Sequence, residues 1–303
     1  MGRTNAVATV LLLLGFVWWA PPAKAAEERV GLQVGHWRSR ELPEELREIR
    51  GNTGTAGGGY TEVQVNLDIA QRAAGYLRGY GVAVDILPAT IPVSYRADAF
   101  VAIHADGSTS RASSGFKAAT HWREWEAGVA LVDALRVDYG AASGLAWDGS
   151  RITSGMRGYY AFPSGRYAHA IANSTPGAIL ELGYLTSPRD RALMTQQADR
   201  LARGVANGIM RFLQSRPAAG WSAPPPLPEY RATVTSSTAN LRAGPGTEYP
   251  ITRTMRRGRI LMIAEVQGDW LRVASFRTNR PTRWVHRDNV TLIRLADEPA
   301  YAP

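Results

Sequence analysis

Residues 30–36, VGLQVGH, decide the fold: a short apolar run passes through a glycine and ends at a histidine. Residues 100–104, FVAIH, repeat that form, and residues 178–181, AILE, end in a carboxylate instead. Short apolar runs bounded by turn residues are typical of buried strands. Because longer segments of helical period separate these runs, we predict a three-layer α/β/α domain with a mainly parallel sheet.

A helix is predicted after the first of these strands, and a capping box marks its start. Thr61 and Gln64 stand three residues apart, so each side chain can bond the backbone N–H of the other. Glu62 therefore lies in the first turn, Gly81 ends the helix, and residues 82–87 form the next strand. The predicted buried face of the helix contains Val65, Ile69, Ala73 and Leu77.

Three further elements complete the predicted domain. Residues 115–117 have the character of an edge strand, and a helix is expected from His121 to Tyr139. An N-cap, a first-turn proline and a first-turn acid predict one long helix near the end of the domain. These are Ser187, Pro188 and Asp190, and the buried stripe that follows contains Leu201, Val205, Ile209 and Phe212.

A Pro-rich segment divides the chain into two domains. Pro224, Pro225 and Pro226 stand in a row there, which predicts a stiff, extended spacer. Upstream lies the α/β domain, residues 26–214, and downstream every segment has the pattern of short strands and turns. We therefore predict a linker at 215–232, a small all-β domain at 233–294 and a tail at 295–303.

Residues 1–25 have the features of a signal peptide. A basic start is followed by an uncharged run at residues 6–20, and Ala23 and Ala25 form a small-x-small cleavage pattern. The run is too short for the roughly 20 apolar residues that span a bilayer. We therefore predict cleavage after Ala25, export to the periplasm or the cell wall, and no stable membrane insertion of the mature chain.

Charge and cysteine content restrict the function further. Of 35 Lys and Arg, Arg3 and Lys24 leave with the signal peptide, so 33 remain against 26 Asp and Glu, a formal charge of +7. Outside a cell this favours anionic wall polymers over nucleic acid as partners. The chain has no cysteine, which excludes disulfides, thiol nucleophiles and Cys-type zinc sites.

Four residues carry the predicted chemistry. His36, His104 and Glu181 each follow an apolar run, and side chains at the carboxyl ends of strands gather at one edge of an α/β sheet. Glu62 is expected beside them. Two imidazoles and one carboxylate suit a catalytic zinc ion, and a fourth polar residue is then free to act as a base. Alone, each histidine is more simply explained by a hydrogen bond in a loop and Glu62 by the helix dipole, whereas Glu181 would be costly to bury without a partner.

The four elements together resemble the zinc-dependent N-acetylmuramoyl-L-alanine amidases of the type-3 class, over roughly residues 30–213. The family's first ligand is similar to His36 in its Gly-His pair, its second to Glu62 and its third to His104 in AIHAD. The family's catalytic Glu precedes a Gly-aromatic pair, and Glu181 in ELGY is similar. The chain departs from the family at Gln33, where an Asp is usual, at Asp106, where an Asn is usual, and in an insertion at residues 39–59.

The resemblance implies hydrolysis of the amide between the glycan and the stem peptide of peptidoglycan. Zinc held by His36, Glu62 and His104 would activate a water, and Glu181 would serve first as base and then as acid. Three residues from a polar, aromatic stretch are candidates for substrate contact. They are Arg157, Tyr160 and His169.

The C-terminal segment resembles bacterial SH3-like domains, in the stretch NLRAGPG at 240–246 and in the tryptophans that follow. The resemblance implies a small barrel that binds wall or peptide ligands, and tethering to the same polymer would raise the effective concentration at the first site. Trp270 and Trp284 are candidates for wall binding, although core packing is the favoured explanation for both. Two other functions remain open: a non-catalytic wall-binding or regulatory protein, and a zinc peptidase acting on stem peptides.

Overall fold

The computed structural model describes residues 27–275 and 282–297. The predicted signal peptide and residues 298–303 of the predicted tail lie outside these ranges. No helix within them is long and apolar enough to cross a membrane.

The N-terminal domain is built on a five-stranded sheet with the order β4-β1-β5-β7-β6. The first four strands are parallel, and β6 pairs antiparallel to β7 at the edge. The mainly parallel α/β class predicted from the sequence is therefore confirmed. The strands, with the small hairpin β2-β3, are β1 Arg29–Val34, β2 Ala56–Gly57, β3 Tyr60–Thr61, β4 Ala83–Leu87, β5 Ala99–Asp106, β6 Lys117–Ala119 and β7 Gly177–Tyr184.

Three long helices cover one face of this sheet. The predicted capping box of Thr61 and Gln64 is present at the start of α1, and the predicted apolar face of that helix is buried. A segment without long helices, made mainly of residues 88–98 and 152–172, covers the other face. The helices are α1 Glu62–Gly79, α2 Glu126–Ser143, α3 Ser154–Arg157, α4 Pro188–Gln196 and α5 Ala198–Gln214.

Strand alternation separates the core from the polar residues of the sheet. Val34 and Ile103 point toward the helices and pack in the main core. Gln33, His104 and Glu181 take the alternate positions and therefore face the opposite side of the sheet. The polar site thus lies under the 152–172 segment, on the face without long helices.

Some predicted boundaries were wrong. His104 and Glu181 do not end their strands, because β5 and β7 stay paired beyond them through a bulge near Asp106. The helix predicted from His121 begins at Glu126, since Trp125 before it is extended and Trp122 donates its backbone N–H to the carbonyl of Arg157.

The single long helix predicted after Ser187 is two helices that break at Gln197, where the backbone is not helical. Ser187 makes no side-chain cap. Asp190 is fully buried and accepts hydrogen bonds from Ser114, from the N–H of Gly115 and from the N–H of Tyr184. The carboxylate therefore joins α4 to the sheet, beyond any interaction with the helix dipole.

The C-terminal domain is one seven-stranded antiparallel sheet with the order β10-β9-β13-β12-β11-β8-β14. Its core contains Leu241, Ile263, Leu271 and Val285. This is the all-β unit that the sequence predicts. The strands are β8 Tyr230–Val234, β9 Thr238–Arg242, β10 Ile251–Arg256, β11 Ile260–Gln267, β12 Trp270–Val273, β13 Arg283–His286 and β14 Val290–Arg294.

The Pro-rich linker lies along the N-terminal domain instead of standing away from it. Trp221 stacks on Phe212 with the ring planes 1° apart, and Trp125 Nε1 donates to the carbonyl of Ser222 at 2.7 Å. Arg123 donates to the carbonyls of Pro225 and Pro226. The segment is thus tied at both of its halves.

Candidate metal centre

Three side chains from three elements meet at the carboxyl end of the sheet. His36 comes from the turn after β1, Glu62 from the first turn of α1 and His104 from β5, and their ligand atoms all lie within 4.8 Å of one another. Glu62 Oε1 lies 3.4 Å from His36 Nε2 and 2.9 Å from His104 Nδ1. Among the described residues, this is the one group of three His and carboxylate side chains that is placed to hold a metal ion.

His36 is held in a strained conformation. Its φ of 63° lies in the left-handed region, which a residue with a side chain occupies only when its surroundings enforce it. Its Nδ1 lies 3.0 Å from the carbonyl of Asn52, so Nδ1 carries the proton and Nε2 is left as an acceptor toward Glu62. Burial lowers the pKa of His36 more than the Glu62 carboxylate raises it, so the ring is neutral at neutral pH.

Glu62 is almost fully buried and is held by backbone and side-chain donors. Its Oε2 accepts from the N–H of Thr55 at 2.8 Å, and its Oε1 accepts from the N–H of Ala105 at 3.3 Å. Burial raises the pKa of Glu62, but the bond and charge of His104, with His36 and the Thr55 N–H, outweigh it and hold the pKa below its ordinary value. The carboxylate is therefore ionised.

A chain of hydrogen bonds orients His104 from behind. Its Nε2 lies 3.1 Å from the hydroxyl of Tyr159, which donates to Gln33 Oε1 at 2.8 Å. Nε2 therefore donates to Tyr159, and Nδ1 donates to Glu62 Oε1 at 2.9 Å. Burial lowers the pKa of His104, but this bond and the nearby carboxylates outweigh it and raise the pKa above its ordinary value. Gln33 Nε2 in turn donates to Tyr160 and to the carbonyl of Ala89, both at 3.0 Å.

The role of Gln33 was missed at the level of sequence, where it was noted as a departure from the family. A polar side chain inside a buried strand needs partners, and that requirement was the available signal. Gln33 is fully buried, and its amide joins the two tyrosines that follow α3 to the metal-facing histidine.

Glu181 lies on β7 beside His104 on β5, as its direct register partner. Its Oε2 is buried and has no hydrogen-bond partner among the described residues. Burial raises the pKa of Glu181 to about 7, with the charges of Asp106 and Glu62 adding to the effect and His104 and Lys117 opposing it. A carboxyl group with that pKa can take up and release a proton near neutral pH.

Lys117 is the second residue whose role was missed, since the edge strand that carries it suggested none. It is buried, with 3% of its surface exposed, and its ammonium donates to Asp106 and, at 3.1 Å, to Tyr184 Oη. The Tyr184 hydroxyl continues to Asp148 at 2.6 Å. The Asp106 carboxylate therefore lies beside the buried ammonium group of Lys117.

A cavity of about 490 Å³ opens from His36 and His104. Of the three residues predicted to contact substrate, Tyr160 lines this cavity, although its hydroxyl donates to the carbonyl of Ala89 at 2.7 Å. Arg157 and His169 are not among the described residues that line it. Arg157 pairs with Glu124 at 2.5 Å, and His169 Nδ1 lies 2.8 Å from Glu45 Oε1.

The two tryptophans of the C-terminal domain differ in exposure. Trp284 is buried, with 7% of its surface exposed, so its position agrees with the core-packing alternative. Trp270 is partly exposed and packs edge-on against His286, with the ring centroids 5.1 Å apart. Wall binding by Trp270 stays a prediction.

Residues 30–211 match the family described as N-acetylmuramoyl-L-alanine amidase, and residues 237–291 match the bacterial SH3 domain. No curated protein matches the chain.

Solved structures similar to the chain include three amidases. N-acetylmuramoyl-L-alanine amidase AmiC2 of Nostoc punctiforme is 22% identical over 62% of this chain and 97% of that chain, with a TM-score of 0.45. Ami1 from Mycobacterium smegmatis is 23% identical over 64% and 100%, with a TM-score of 0.47. The catalytic domain of CwlV from Bacillus (Paenibacillus) polymyxa var. colistinus is 20% identical over 62% and 99%, with a TM-score of 0.43.

Proposed function

Because the chain belongs to the N-acetylmuramoyl-L-alanine amidase family, we propose that it hydrolyses the amide bond between N-acetylmuramic acid and L-alanine in peptidoglycan. One observation supports this most directly. A cluster of two imidazoles and a carboxylate stands beside Glu181, a carboxyl group whose Oε2 is buried without a partner among the described residues. Such a pairing of metal ligands with a separate acid–base group suits hydrolysis of an amide.

Zinc is the metal that these ligands fit. Two neutral imidazoles and one carboxylate form a catalytic set, and the chain has no cysteine to complete a structural one. His36, Glu62 and His104 would hold the ion. When bound, zinc supplies a Lewis acid that polarises the scissile carbonyl and lowers the pKa of water. The hydrogen bonds from His36 to Asn52 and from His104 to Tyr159 leave the other nitrogen of each ring facing Glu62, where it would serve as a ligand atom once deprotonated.

Glu181 is the residue we assign to proton transfer. Its carboxylate would accept the proton of the attacking water and later return it to the leaving amine of L-alanine. Both steps require a group that titrates near neutral pH, and burial raises the pKa of Glu181 to about 7. The Lys117 ammonium donates to Asp106 and to Tyr184, and among the described residues no cation forms an ion pair with the Glu181 carboxylate.

Export and wall attachment are further parts of the proposal. Residues 1–25 would direct the chain out of the cytoplasm, to the periplasm or the cell wall, where peptidoglycan is found. The SH3-like domain would bind the wall, and the positive charge of the mature chain favours anionic wall polymers.

The test is digestion of purified peptidoglycan by the mature, full-length protein, with the soluble products identified by mass spectrometry. We expect intact stem peptides with a free L-alanine amine. Glu181→Gln should lower their release by at least about 100-fold, as loss of an acid–base group does. Glu248→Gln, the same change at an exposed position, is the matched control.

Metal dependence is measured in the same assay. Chelation should abolish release, and added zinc should restore it. Peptides cut internally would instead show a zinc peptidase. Sedimentation with the wall without any release would show a binding or regulatory protein, and either result would overturn the proposal.

A further inference from the structure

The SH3-like domain lines the same cavity as the metal centre. Gly258, Arg259 and Ile260, at the turn into β11, form part of the wall of the 490 Å³ cavity that opens from His36 and His104. Residues of the insertion between 39 and 49 line the same cavity, as do Tyr159 and Tyr160. A substrate in this cavity would therefore contact residues of both domains.

Two polar contacts join the SH3-like domain to the insertion. Arg259 forms an ion pair with Glu48, and Arg47 Nη2 donates to the carbonyl of Arg257 at 2.7 Å. Gly258 has a φ of 81°, and a Cβ there would come within 2.7 Å of the Arg47 guanidinium. The backbone of the turn thus approaches Arg47 as closely as only a glycine allows.

A separate apolar contact also joins the two parts of the chain. A Cβ on Gly165 would come within 2.8 Å of Leu295 and 3.2 Å of Met262, both of which are buried residues of the C-terminal part of the chain. Gly165 belongs to the segment that carries Tyr159 and Tyr160. The two domains are therefore joined by polar and by apolar contacts, and Ser222 and Pro226 of the linker are hydrogen-bonded to the N-terminal domain as well.

The insertion connects this interface to the metal centre. Leu42 and Leu46 pack in a small cluster with Ala89, against which Tyr160 and Tyr167 also lie. The Tyr160 hydroxyl accepts a hydrogen bond from Gln33 Nε2. Gln33 Oε1 accepts a hydrogen bond from the hydroxyl of Tyr159, which lies next to His104. A displacement of residues 44–49 would therefore change the cleft wall.

We propose that the SH3-like domain is a fixed wall of the substrate cleft, and that Arg259 is a positioning residue that holds residues 44–49 in place through Glu48. This differs from a tethered domain that binds the wall polymer at a distance. The kinetic part of the test rests on the amidase function proposed above, whereas the distance measurement does not.

The first measurement is the distance between the two domains in the full-length protein. The chain has no cysteine, so spin labels at Arg40→Cys and Ser237→Cys, two exposed positions, would be the only ones attached. We expect one narrow distance distribution. Arg259→Glu should broaden it, and the charge swap Glu48→Arg with Arg259→Glu should narrow it again. A broad distribution in the parent protein would overturn the proposal.

The second measurement is steady-state hydrolysis of a soluble peptidoglycan fragment. Arg259→Glu should raise KM by about 10-fold, which corresponds to about 1.4 kcal/mol of binding, with kcat within about twofold. The charge swap and Arg259→Lys should recover most of the KM. Arg272→Glu, whose partner Glu265 lies within the same domain, is the matched control and should leave KM unchanged.

The two measurements separate the proposals. The fixed wall would be overturned if KM were unchanged in Arg259→Glu. It would also be overturned if kcat fell by the same factor as KM rose and Tm fell as well. A narrow distance in a protein that hydrolyses nothing would overturn the proposed amidase function and leave the fixed wall standing.

Discussion

Lys117 stands directly opposite Glu181 in the ladder between β6 and β7, yet its ammonium donates to Asp106 and to Tyr184. The cation thus neutralises the acidic residue next to the metal centre and leaves the Oε2 of Glu181 without a hydrogen-bond partner among the described residues. The carboxyl group that we assign to proton transfer therefore stays available for a proton.

The Lys117–Asp106 pair is predicted to act as a unit. Asp106→Asn or Lys117→Met alone leaves a charge in a buried or half-buried position, and each should lower the free energy of unfolding by about 2–3 kcal/mol. The double variant should lose less than the sum of the two, by about 1 kcal/mol or more. Urea denaturation of all four proteins measures this, and strictly additive losses would contradict the pairing.

Gln33 is predicted to tune metal affinity from behind His104. Gln33→Leu keeps the volume but removes the acceptor of Tyr159, so the orientation of His104 is less constrained. We expect zinc affinity to fall by about 10- to 100-fold, as when an outer hydrogen-bond partner of a ligand is lost. Competition with a chelator of known affinity measures it. Gln71→Leu, an exposed change on α1, should have no effect, and equal losses in both variants would contradict the role.

Gly54 is predicted to be required beside Glu62. Its φ is 73°, and a Cβ there would come within 2.1 Å of Glu62 Oε2. Gly51 has a φ of 81° with no atom within 4 Å of a Cβ, so Gly51→Ala carries a similar backbone cost without the clash. We expect Gly51→Ala to cost about 1 kcal/mol of stability and to bind zinc normally. Gly54→Ala should cost more and also weaken zinc binding, measured by calorimetry.

His121 is predicted to make the protein less stable at mildly acidic pH. Burial lowers its pKa to about 4, and Arg123 and Arg166 add to the effect. In the unfolded chain its pKa is near 6.5, so between these values the unfolded state binds a proton that the folded state does not. The free energy of unfolding therefore falls as the pH falls through this window, by about 1–2 kcal/mol in view of its partial exposure.

This pH effect is measured by urea denaturation at about pH 7 and about pH 5, with chelator present so that zinc release does not contribute. His121→Gln should reduce the difference between the two pH values. His286→Gln, at a partly exposed position in the C-terminal domain, serves as the control. An unchanged difference in His121→Gln would assign the loss to other groups.

Local sequence was enough to predict the elements that carry the site. The capping box at Thr61 and the apolar runs before His36 and His104 depend on neighbours within a few residues, so the helix start and the strands could be predicted from the sequence. The late start of α2 could not, because it goes with a hydrogen bond from the Trp122 N–H to the carbonyl of Arg157, a residue distant in sequence. The break at Gln197 has no local sequence signal that we can name.

By itself, the sequence was enough to predict the mainly parallel sheet, the all-β C-terminal domain and the two histidines and two glutamates of the candidate site, because strand ends gather at one edge of such a sheet and the capping box places Glu62 in a first helical turn. Only the tertiary structure decided which side-chain atoms face the candidate metal site and which are held by other residues. The hydrogen bond of Gln33 to Tyr159, the pairing of Lys117 with Asp106 and the ion pair of Arg259 with Glu48 each join residues distant in the chain. No local pattern specifies such pairs, since each exists only when packing brings both partners out of water together.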